Sequence, residues 1–220
     1  MKSVISKVAL TFGFLLMIGI IISRDFRLML GLAIDPIMTP FAPLKFHITI
    51  FILSILTGIY SNLIQKYTVD FQKLKSFQKI QMEFQKEYID AMKKNNKPKL
   101  EQLEKRKREI QVMQAEVLNM QMKSMGYTLI VTIPIFSWLW EKVAVSYELL
   151  YGGDLYGNIT QTLPEAFVST INPELFKIMV PFSGVIHVAE TFIFPWWLFW
   201  YLVCSIALGQ IIKNVMKVGV

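Results

Sequence analysis

The sequence predicts an all-α membrane protein with three core transmembrane helices, a further apolar segment at the amino end, and a cytoplasmic antiparallel coiled-coil hairpin between the first two core spans. The 220 residues are 54% hydrophobic, yet 23 Lys and Arg and 16 Asp and Glu are concentrated in separate blocks. Three stretches are apolar over roughly the 20 residues that a helix needs to cross a bilayer. A charged stretch with helical periodicity lies between the first two.

In the amino-terminal segment, residues 1–23, a long apolar run comes after Lys2 and Lys7. It has no small-residue cleavage site, which favours an uncleaved signal anchor or a peripheral hydrophobic segment over a cleaved signal peptide. Residues 24–45 are then expected to be an outer linker.

The apolar stretches give the boundaries of the core. The sequence predicts three spans, at residues 46–65, 124–142 and 191–213, and a short cytoplasmic tail at residues 214–220. The apolar part of the second span is only about 25 Å long, and Glu141 and Lys142 are expected to mark its outer boundary. It also contains Pro134, which we expect to interrupt the helix, so that the bilayer thins around this span.

Residues 66–123 have the pattern of two long helices. Apolar residues recur seven apart in the second of them, at Leu103, Ile110 and Val117. This spacing is typical of a coiled-coil seam. A turn before Pro98 separates two helices of roughly 28 residues, which would project about 40 Å from the membrane. Because no Gly-Pro break occurs in residues 119–131, we expect one helix to leave the aqueous phase there and enter the lipid.

Charge predicts the orientation in the membrane. Lys66–Met125 contains 14 Lys and Arg and 8 Asp and Glu, whereas Val143–Glu190 contains one Lys and five acidic residues. Positive residues stay cytoplasmic, so the hairpin and the carboxyl end are expected inside. Residues 143–190 then form an acidic outer loop, with an amphipathic segment at Leu175–Val185. A glycosylation sequon at Asn158–Thr160 lies on the same predicted outer side.

Polar residues within the spans predict a hydrophilic groove, because lipid gives polar groups no partner. The candidate residues lie on the cytoplasmic halves of the spans: Thr57, Ser61, Asn62, Gln65, Thr132, Ser205, Gln210 and Asn214. Such residues are also ordinary contacts between membrane helices. Their restriction to one leaflet favours a groove that is open to the cytoplasm and lowers the cost of moving a polar flank of a client protein across the bilayer.

A second candidate surface is basic and lies at and beyond the tip of the hairpin. It consists of Lys93, Lys94, Lys97, Lys99, Arg106 and Arg108. These residues could contact ribosomal RNA or anionic lipid, or they could belong to a solvated helix pair whose lysines only set the topology. Interleaved acidic residues argue against a dedicated RNA groove.

The sequence offers no pattern typical of an enzyme. The histidines, His47 and His187, have no neighbours at metal-ligand spacing, and no glycine-rich phosphate loop is present. We therefore expect no catalytic residue, metal or cofactor. The single Cys204 excludes an intramolecular disulfide. Two other classes stay open: an oligomeric ion channel, and a membrane-anchored coiled-coil receptor for a soluble targeting factor.

The order of these segments, together with "MQMKSMGY" at the membrane re-entry and "CSIALGQIIKNVM" in the last span, resembles the YidC-like proteins of archaeal plasma membranes. They belong to the YidC/Oxa/Alb insertase superfamily, and the chain also resembles their relatives, the ER transmembrane and coiled-coil domain protein and subunit three of the ER membrane protein complex. The resemblance covers about Phe46–Met216.

This resemblance implies a plasma-membrane insertase or chaperone that helps apolar segments of nascent membrane proteins enter the bilayer. Membrane lipids, nascent chains, the ribosome and a further membrane subunit would be its partners. Bacterial members place an arginine in the groove, whereas Phe46–Ile64 contains neither Lys nor Arg.

Overall fold

The computed structural model describes residues 2–152, 163–180, 184–190 and 194–218, and within them the predicted all-α membrane class is confirmed. The elements are α1 Lys2–Ile22, α2 Arg24–Met38, α3 Phe46–Thr68, α4 Phe71–Lys93, α5 Lys97–Tyr151, α6 Glu165–Ser169, β1 Lys177–Val180, β2 Gly184–His187 and α7 Trp196–Val215. The sequon at 158–160 lies outside the described residues.

Among the described residues, three helices are long and apolar enough to cross a membrane: α3, α5 and α7. Ser6–Ile22 and Arg24–Phe41 meet the same criterion together, but they are bent by 117° at their junction. By length and composition, the described residues therefore contain three candidate spans, or four if this bent pair is one of them.

The hairpin helices α4 and α5 begin at side-chain caps. Asp70 Oδ1 accepts a hydrogen bond from the Lys73 backbone N–H (3.0 Å), and Asn96 Oδ1 accepts one from the Lys99 N–H (3.2 Å). Short polar side chains before a helix satisfy N–H groups that have no partner within it. The turn between α4 and α5 is thus set locally, where the sequence predicts it.

The two hairpin helices pack on the predicted seam. Buried Phe77, Ile110 and Val117 form its centre, flanked by Leu74, Ile80, Phe84, Met113 and Met120. An ion pair joins Lys73 to Glu116, and another joins Glu87 to Arg106 (3.5 Å). Because residue numbers rise along α4 as those of their partners fall along α5, the helices are antiparallel.

Helix α5 continues from the hairpin through the whole bundle. It is 55 residues long, and Pro134 lies inside it without ending it. The predicted passage of one helix through residues 119–131 is confirmed, whereas the predicted interruption at Pro134 is wrong. A proline removes one N–H, and packing around a membrane helix can tolerate that loss. We call the end with α4 the hairpin end of the bundle and the opposite end the distal end.

Helix α1 lies against α5 through a close approach of two glycines. A Cβ on Gly13 would lie 2.9 Å from the Gly126 carbonyl oxygen, and a Cβ on Gly126 would lie 2.7 Å from Leu10 Cα. Any side chain at either position would force the backbones apart. Small residues have the same role at many membrane helix crossings.

The region predicted as an outer linker, residues 24–45, is mostly the helix α2. Its first turn is capped by Ser23, whose Oγ accepts a hydrogen bond from the Phe26 N–H (3.2 Å). The helix crosses α5 closely, since a Cβ on Gly31 would lie 3.4 Å from Trp138 Cα. The linker prediction is corrected accordingly. Ser23 before an amphipathic run was the sequence signal for this helix.

The predicted acidic outer loop contains regular structure. Helix α5 extends to Tyr151, and strands β1 and β2 pair antiparallel with Lys177 opposite His187. The described parts of the predicted amphipathic segment at Leu175–Val185 fall on the 3₁₀ turn Pro173–Phe176 and on this strand pair, and residues 181–183 lie outside the described residues.

The main apolar core lies in the distal half of the bundle. It joins α3, α5 and α7 to the segments of the outer loop, and its most buried members include Ile50, Leu53, Trp138, Leu139, Val145, Phe167 and Trp197. Tight packing there fixes the mutual positions of the three spans.

Candidate functional site

In the hairpin half of the bundle, α3, α5 and α7 enclose an open cavity of about 440 Å³, which we call the polar groove. Its lining is polar or small at nearly every position: Ser54, Thr57, Gly58, Ser61, Asn62 and Gln65 from α3, Thr128 and Thr132 from α5, and Tyr201, Ser205, Gly209, Gln210 and Lys213 from α7. The distal half is filled by the apolar core instead. The groove is therefore confined to one half of the bundle.

Most of the predicted groove residues lie together in this cavity. They are Thr57, Ser61, Asn62, Gln65, Thr132, Ser205 and Gln210. Asn214 is exposed and lies outside the lining, while the preceding residue, Lys213, lies inside it. Consecutive residues on a helix differ by about 100° in direction, so one position decides which side chain faces the groove.

Several groove side chains use their hydrogen-bonding capacity within their own helix. Asn62 Nδ2 donates to the Gly58 carbonyl oxygen (2.8 Å), and Thr132 Oγ1 donates to the Thr128 carbonyl oxygen (2.9 Å). Thr57 Oγ1 donates in the same way to the Leu53 carbonyl oxygen, one turn earlier. Such bonds satisfy hydroxyl and amide protons without tying the helices together.

Two hydroxyls of the groove are not satisfied in this way. Ser54 Oγ on α3 and Ser205 Oγ on α7 are buried and have no hydrogen-bond partner among the described residues. A buried hydroxyl without a partner costs about 1–3 kcal/mol. Water or a polar group of a bound molecule would remove that cost, so these two atoms favour a hydrated groove.

Direct contacts hold the groove walls at a fixed separation. The Tyr60 hydroxyl is hydrogen-bonded to Thr132 Oγ1, which joins α3 to α5. Between α3 and α7, a Cβ on Gly58 would lie 2.6 Å from Ile212 Cδ1. Gly58 therefore leaves room for the end of the Ile212 side chain. Of the three spans, α7 is buried least, so the groove has one thin wall beside the lipid-facing surface.

Lys213 is a groove residue that the sequence analysis missed. The first core span has no basic residue in Phe46–Ile64, and the last span supplies one to the groove. The spacing of Ser205, Gly209 and Lys213 by four residues was the available signal, because residues four apart share a helix face.

The basic residues of the hairpin lie mainly on its surface. Lys93, Lys94, Lys97 and Arg108 are exposed, whereas Lys99 and Arg106 are partly buried. Lys94 pairs with Asp90 (3.0 Å) and Arg106 with Glu87 (3.5 Å). The predicted surface is thus a mixture of free and paired cations.

Two ion pairs are buried where α2 crosses α5. Arg27 Nε donates to Glu141 Oε1 at 2.7 Å, and Lys142 Nζ lies 3.1 Å from Asp35 Oδ1. Glu141 and Lys142 are 1% and 2% exposed. Both were expected to mark a membrane boundary, and the structure gives them a further role as buried partners in contacts between helices. Buried charges need such partners, because desolvation of an isolated ion costs several kcal/mol.

At the distal end, His187 connects the strand pair to α5. Its Nδ1 accepts a hydrogen bond from the Ala189 N–H (3.1 Å), and its Nε2 donates to Ser146 Oγ (2.9 Å), which donates in turn to the Val143 carbonyl oxygen. Burial, with a smaller effect from Lys177, lowers the pKa of His187 to about 4. The imidazole is therefore a neutral structural link.

Within the described residues, no three His, Cys, Asp or Glu side chains are grouped so that they could hold a metal ion. What the described part of the bundle offers is a polar concave surface beside lipid-facing helices.

Comparison with known proteins identifies the family. A family model described as integral membrane protein EMC3/TMCO1-like matches residues 31–220, a range that includes the hairpin, the three spans and the groove. No curated protein and no solved structure matches the chain. The chain therefore belongs to the EMC3/TMCO1-like family of integral membrane proteins, within the YidC/Oxa1/Alb3 superfamily.

Proposed function

We propose that the protein is a membrane protein insertase or chaperone that eases hydrophobic segments of new proteins into the bilayer through the polar groove. The observation that carries the proposal is the restriction of this groove to the hairpin half, with the unpartnered hydroxyls of Ser54 and Ser205 inside it. The insertase-related superfamily to which the family belongs supports the proposal.

The groove would act by shortening the dry path across the membrane. A polar flank that crosses hydrocarbon loses its hydrogen bonds to water, which costs several kcal/mol for each group. A groove that is hydrated to half the depth of the bilayer leaves only the distal half as a barrier. The apolar segment that follows the flank can leave sideways past α7, since this helix is covered least by the rest of the protein.

Lys213 gives the groove a positive charge. An acidic flank of a client would be attracted to it, and this attraction would be stronger than in water because the surroundings are less polar. The chain would thereby compensate for the absence of basic residues from Phe46–Ile64.

The orientation follows from the charge asymmetry of the sequence. The hairpin end would face the cytoplasm of a cell whose plasma membrane contains the protein, because basic segments stay on that side. The exposed lysines of the hairpin would contact the ribosome or the client. Nascent membrane proteins, lipids and a further membrane subunit beside the thin wall of the groove would be the partners. No chemical step, and so no enzymatic activity, is required.

An ion channel is the less favoured alternative. A conducting path has to cross the whole bilayer, whereas in the described residues the distal half of the bundle is packed with Leu53, Leu139 and Trp197. Conduction would require an oligomer with a separate central pore.

A receptor for a soluble targeting factor would use the hairpin alone and would leave the groove without a role.

Site-specific photocrosslinking tests the proposal. Crosslinkers at Ser61 and Ser205 line the groove, and matched positions on the same helices, Ile59 and Ile206, are 42% and 61% exposed and face away from it. The purified protein in vesicles is incubated with ribosomes that carry a nascent hydrophobic segment. We expect strong crosslinks from the two serine positions and weak ones from the two isoleucine positions.

Three outcomes would reject the proposal. Equal yields from groove and control positions would mean that the segment only diffuses in the lipid. Crosslinks restricted to the hairpin tip would favour a receptor. Ion flux through the purified protein in liposomes, without crosslinks in the groove, would favour a channel.

Hydration of the groove is tested by cysteine labelling. In a Cys204→Ser background, cysteines at Asn62 and Gln210 should react with a charged thiol reagent, whereas a cysteine at Phe199, which is 44% exposed in the distal half of α7 and would face lipid, should not. If all three positions are equally unreactive, the groove is dry and the proposed mechanism fails.

A further inference from the structure

A second cavity lies at the distal end of the bundle, away from the polar groove. Its volume is about 470 Å³, and it opens between the first turns of α3 and α7 and strand β1. Its walls combine apolar, aromatic and basic side chains, among them Ile50, Ile178, Trp196, Trp200, Lys45 and Lys177. We call it the distal cavity. Its volume is within the range of small-molecule sites.

The charge of the distal cavity is positive. Lys45 is exposed and has no ion-pair partner among the described residues. Lys177 pairs with Glu174 Oε1 at 2.6 Å, but the side chain of Glu174 is 65% exposed. An ion pair of this exposure is weak, so Lys177 remains available to a second anion. Among the described residues, its wall contains one acidic and two basic side chains, so the cavity would attract an anion.

The position of the cavity relative to the membrane specifies which kind of anion fits. Both α3 and α7 begin at its edge, so the ends of two candidate spans meet there. Trp196 and Trp200 have the side chains that prefer the boundary between lipid and water. Trp200 Nε1 donates to the His47 carbonyl oxygen (3.2 Å), which fixes one aromatic wall against the start of α3.

A lipid at the boundary between membrane and water has a charged headgroup in water and apolar chains in hydrocarbon. Lys45 and Lys177 lie where the headgroup could bind, and Ile50 and Ile178 lie where the chains could pack. We propose that the distal cavity binds an anionic phospholipid, with its phosphate near Lys45 and Lys177 and the first carbons of an acyl chain against the isoleucines. This site is independent of the polar groove and of the proposed insertase activity.

Lipid retention by the full-length protein tests this inference. The protein is reconstituted in vesicles with equal amounts of phosphatidylglycerol and phosphatidylcholine, extracted in a mild detergent, and analysed by native mass spectrometry. We expect phosphatidylglycerol to be retained at least fivefold over phosphatidylcholine. Lys45→Gln should reduce this preference about fivefold, since a lysine near an anionic headgroup contributes about that factor.

The controls separate the distal cavity from general charge effects. Lys45 makes no side-chain cap on α3, so its replacement should leave the fold intact. Lys79→Gln on the exposed surface of the hairpin removes the same charge and should leave retention unchanged. Ile178→Gln should weaken lipid retention although both lysines remain.

The inference is overturned by equal retention of the two lipids in the wild-type protein, or by an equal loss in Lys45→Gln and Lys79→Gln. Complete displacement of the lipid by millimolar glycerol 3-phosphate would also overturn it. That result would mean that the cavity binds a soluble phosphate and that the apolar wall contributes nothing.

Discussion

Removal of the Lys142 ammonium group should destabilise the bundle more than any surface charge change. Its Nζ lies 3.1 Å from Asp35 Oδ1, 2.7 Å from Thr170 Oγ1 and 3.2 Å from the Phe167 carbonyl oxygen. Each of its three protons therefore has an acceptor. Lys142→Met keeps most of the buried aliphatic volume but leaves these acceptors without the cation.

The expected loss can be estimated from the burial of the two charges. Breaking a buried ion pair by removing one member costs about 3–5 kcal/mol. The side chain of Asp35 is 17% exposed, so water can partly replace Lys142, and Trp138 Nε1 still donates to the same carboxylate (2.7 Å). We therefore expect about 3 kcal/mol, at the low end of that range.

The measurement is unfolding by SDS in mixed micelles, followed by tryptophan fluorescence. Lys94→Met is the matched control, because the Lys94–Asp90 pair has a similar length of 3.0 Å but side chains that are 70% and 51% exposed. It should cost less than about 1 kcal/mol. In the Lys142→Met background, Asp35→Asn should recover about 1–2 kcal/mol, since it removes the unpaired charge. If Lys142→Met and Lys94→Met cost the same, the buried cluster does not hold α2 on α5.

Three further predictions concern other parts of the molecule. Folding lowers the pKa of His187 to about 4, so the unfolded chain binds more protons than the folded protein between about pH 4 and about pH 6.5. The stability of the fold should therefore be full above this pH range and should decrease as the pH falls through it. Unfolding midpoints measured over a pH series should show this dependence in the wild-type protein and lose it in His187→Asn. Gly126→Ala should destabilise the contact between α1 and α5 by about 1–3 kcal/mol, whereas Gly209→Ala, whose Cβ would have no atom within 4 Å, should be neutral or stabilising in the same SDS titration. Ile110→Ala should lower the stability of the hairpin, measured by amide hydrogen exchange, by about 2–5 kcal/mol. Val112 is 62% exposed, so Val112→Ala should change that stability by less than about 0.5 kcal/mol. Equal effects of the two substitutions would contradict the assigned core.

Local periodicity explains why the hairpin could be predicted. A seven-residue spacing such as Ile110 to Val117 places both side chains on one face of any helix, and the charged surroundings leave that face only the neighbouring helix for burial. The cap at Asn96 and the proline two residues later, Pro98, fix the turn within a few residues. No distant contact is needed for this part of the fold.

The distal end could not be predicted in the same way. The strand pair depends on a register between Lys177 and His187, and its strands are only four residues long, which is too short for a clear alternating pattern. Buried Glu141 has its partner, Arg27, 114 positions away. From the sequence, Glu141 was expected to be a boundary residue, because a charge after an apolar run usually ends a span, and nothing nearby in the sequence indicates its contact with Arg27.

The sequence by itself determined the spans, the hairpin and the restriction of polar residues to one half of the spans, since each follows from the local preference of side chains for water, lipid or a neighbouring turn. Only the tertiary structure decided which helix faces meet. Packing in the distal half orients α3, α5 and α7 so that Lys213 enters the polar groove while Asn214 stays outside. A rotation of one residue would exchange them, and that rotation is fixed by contacts between helices that are far apart in the chain.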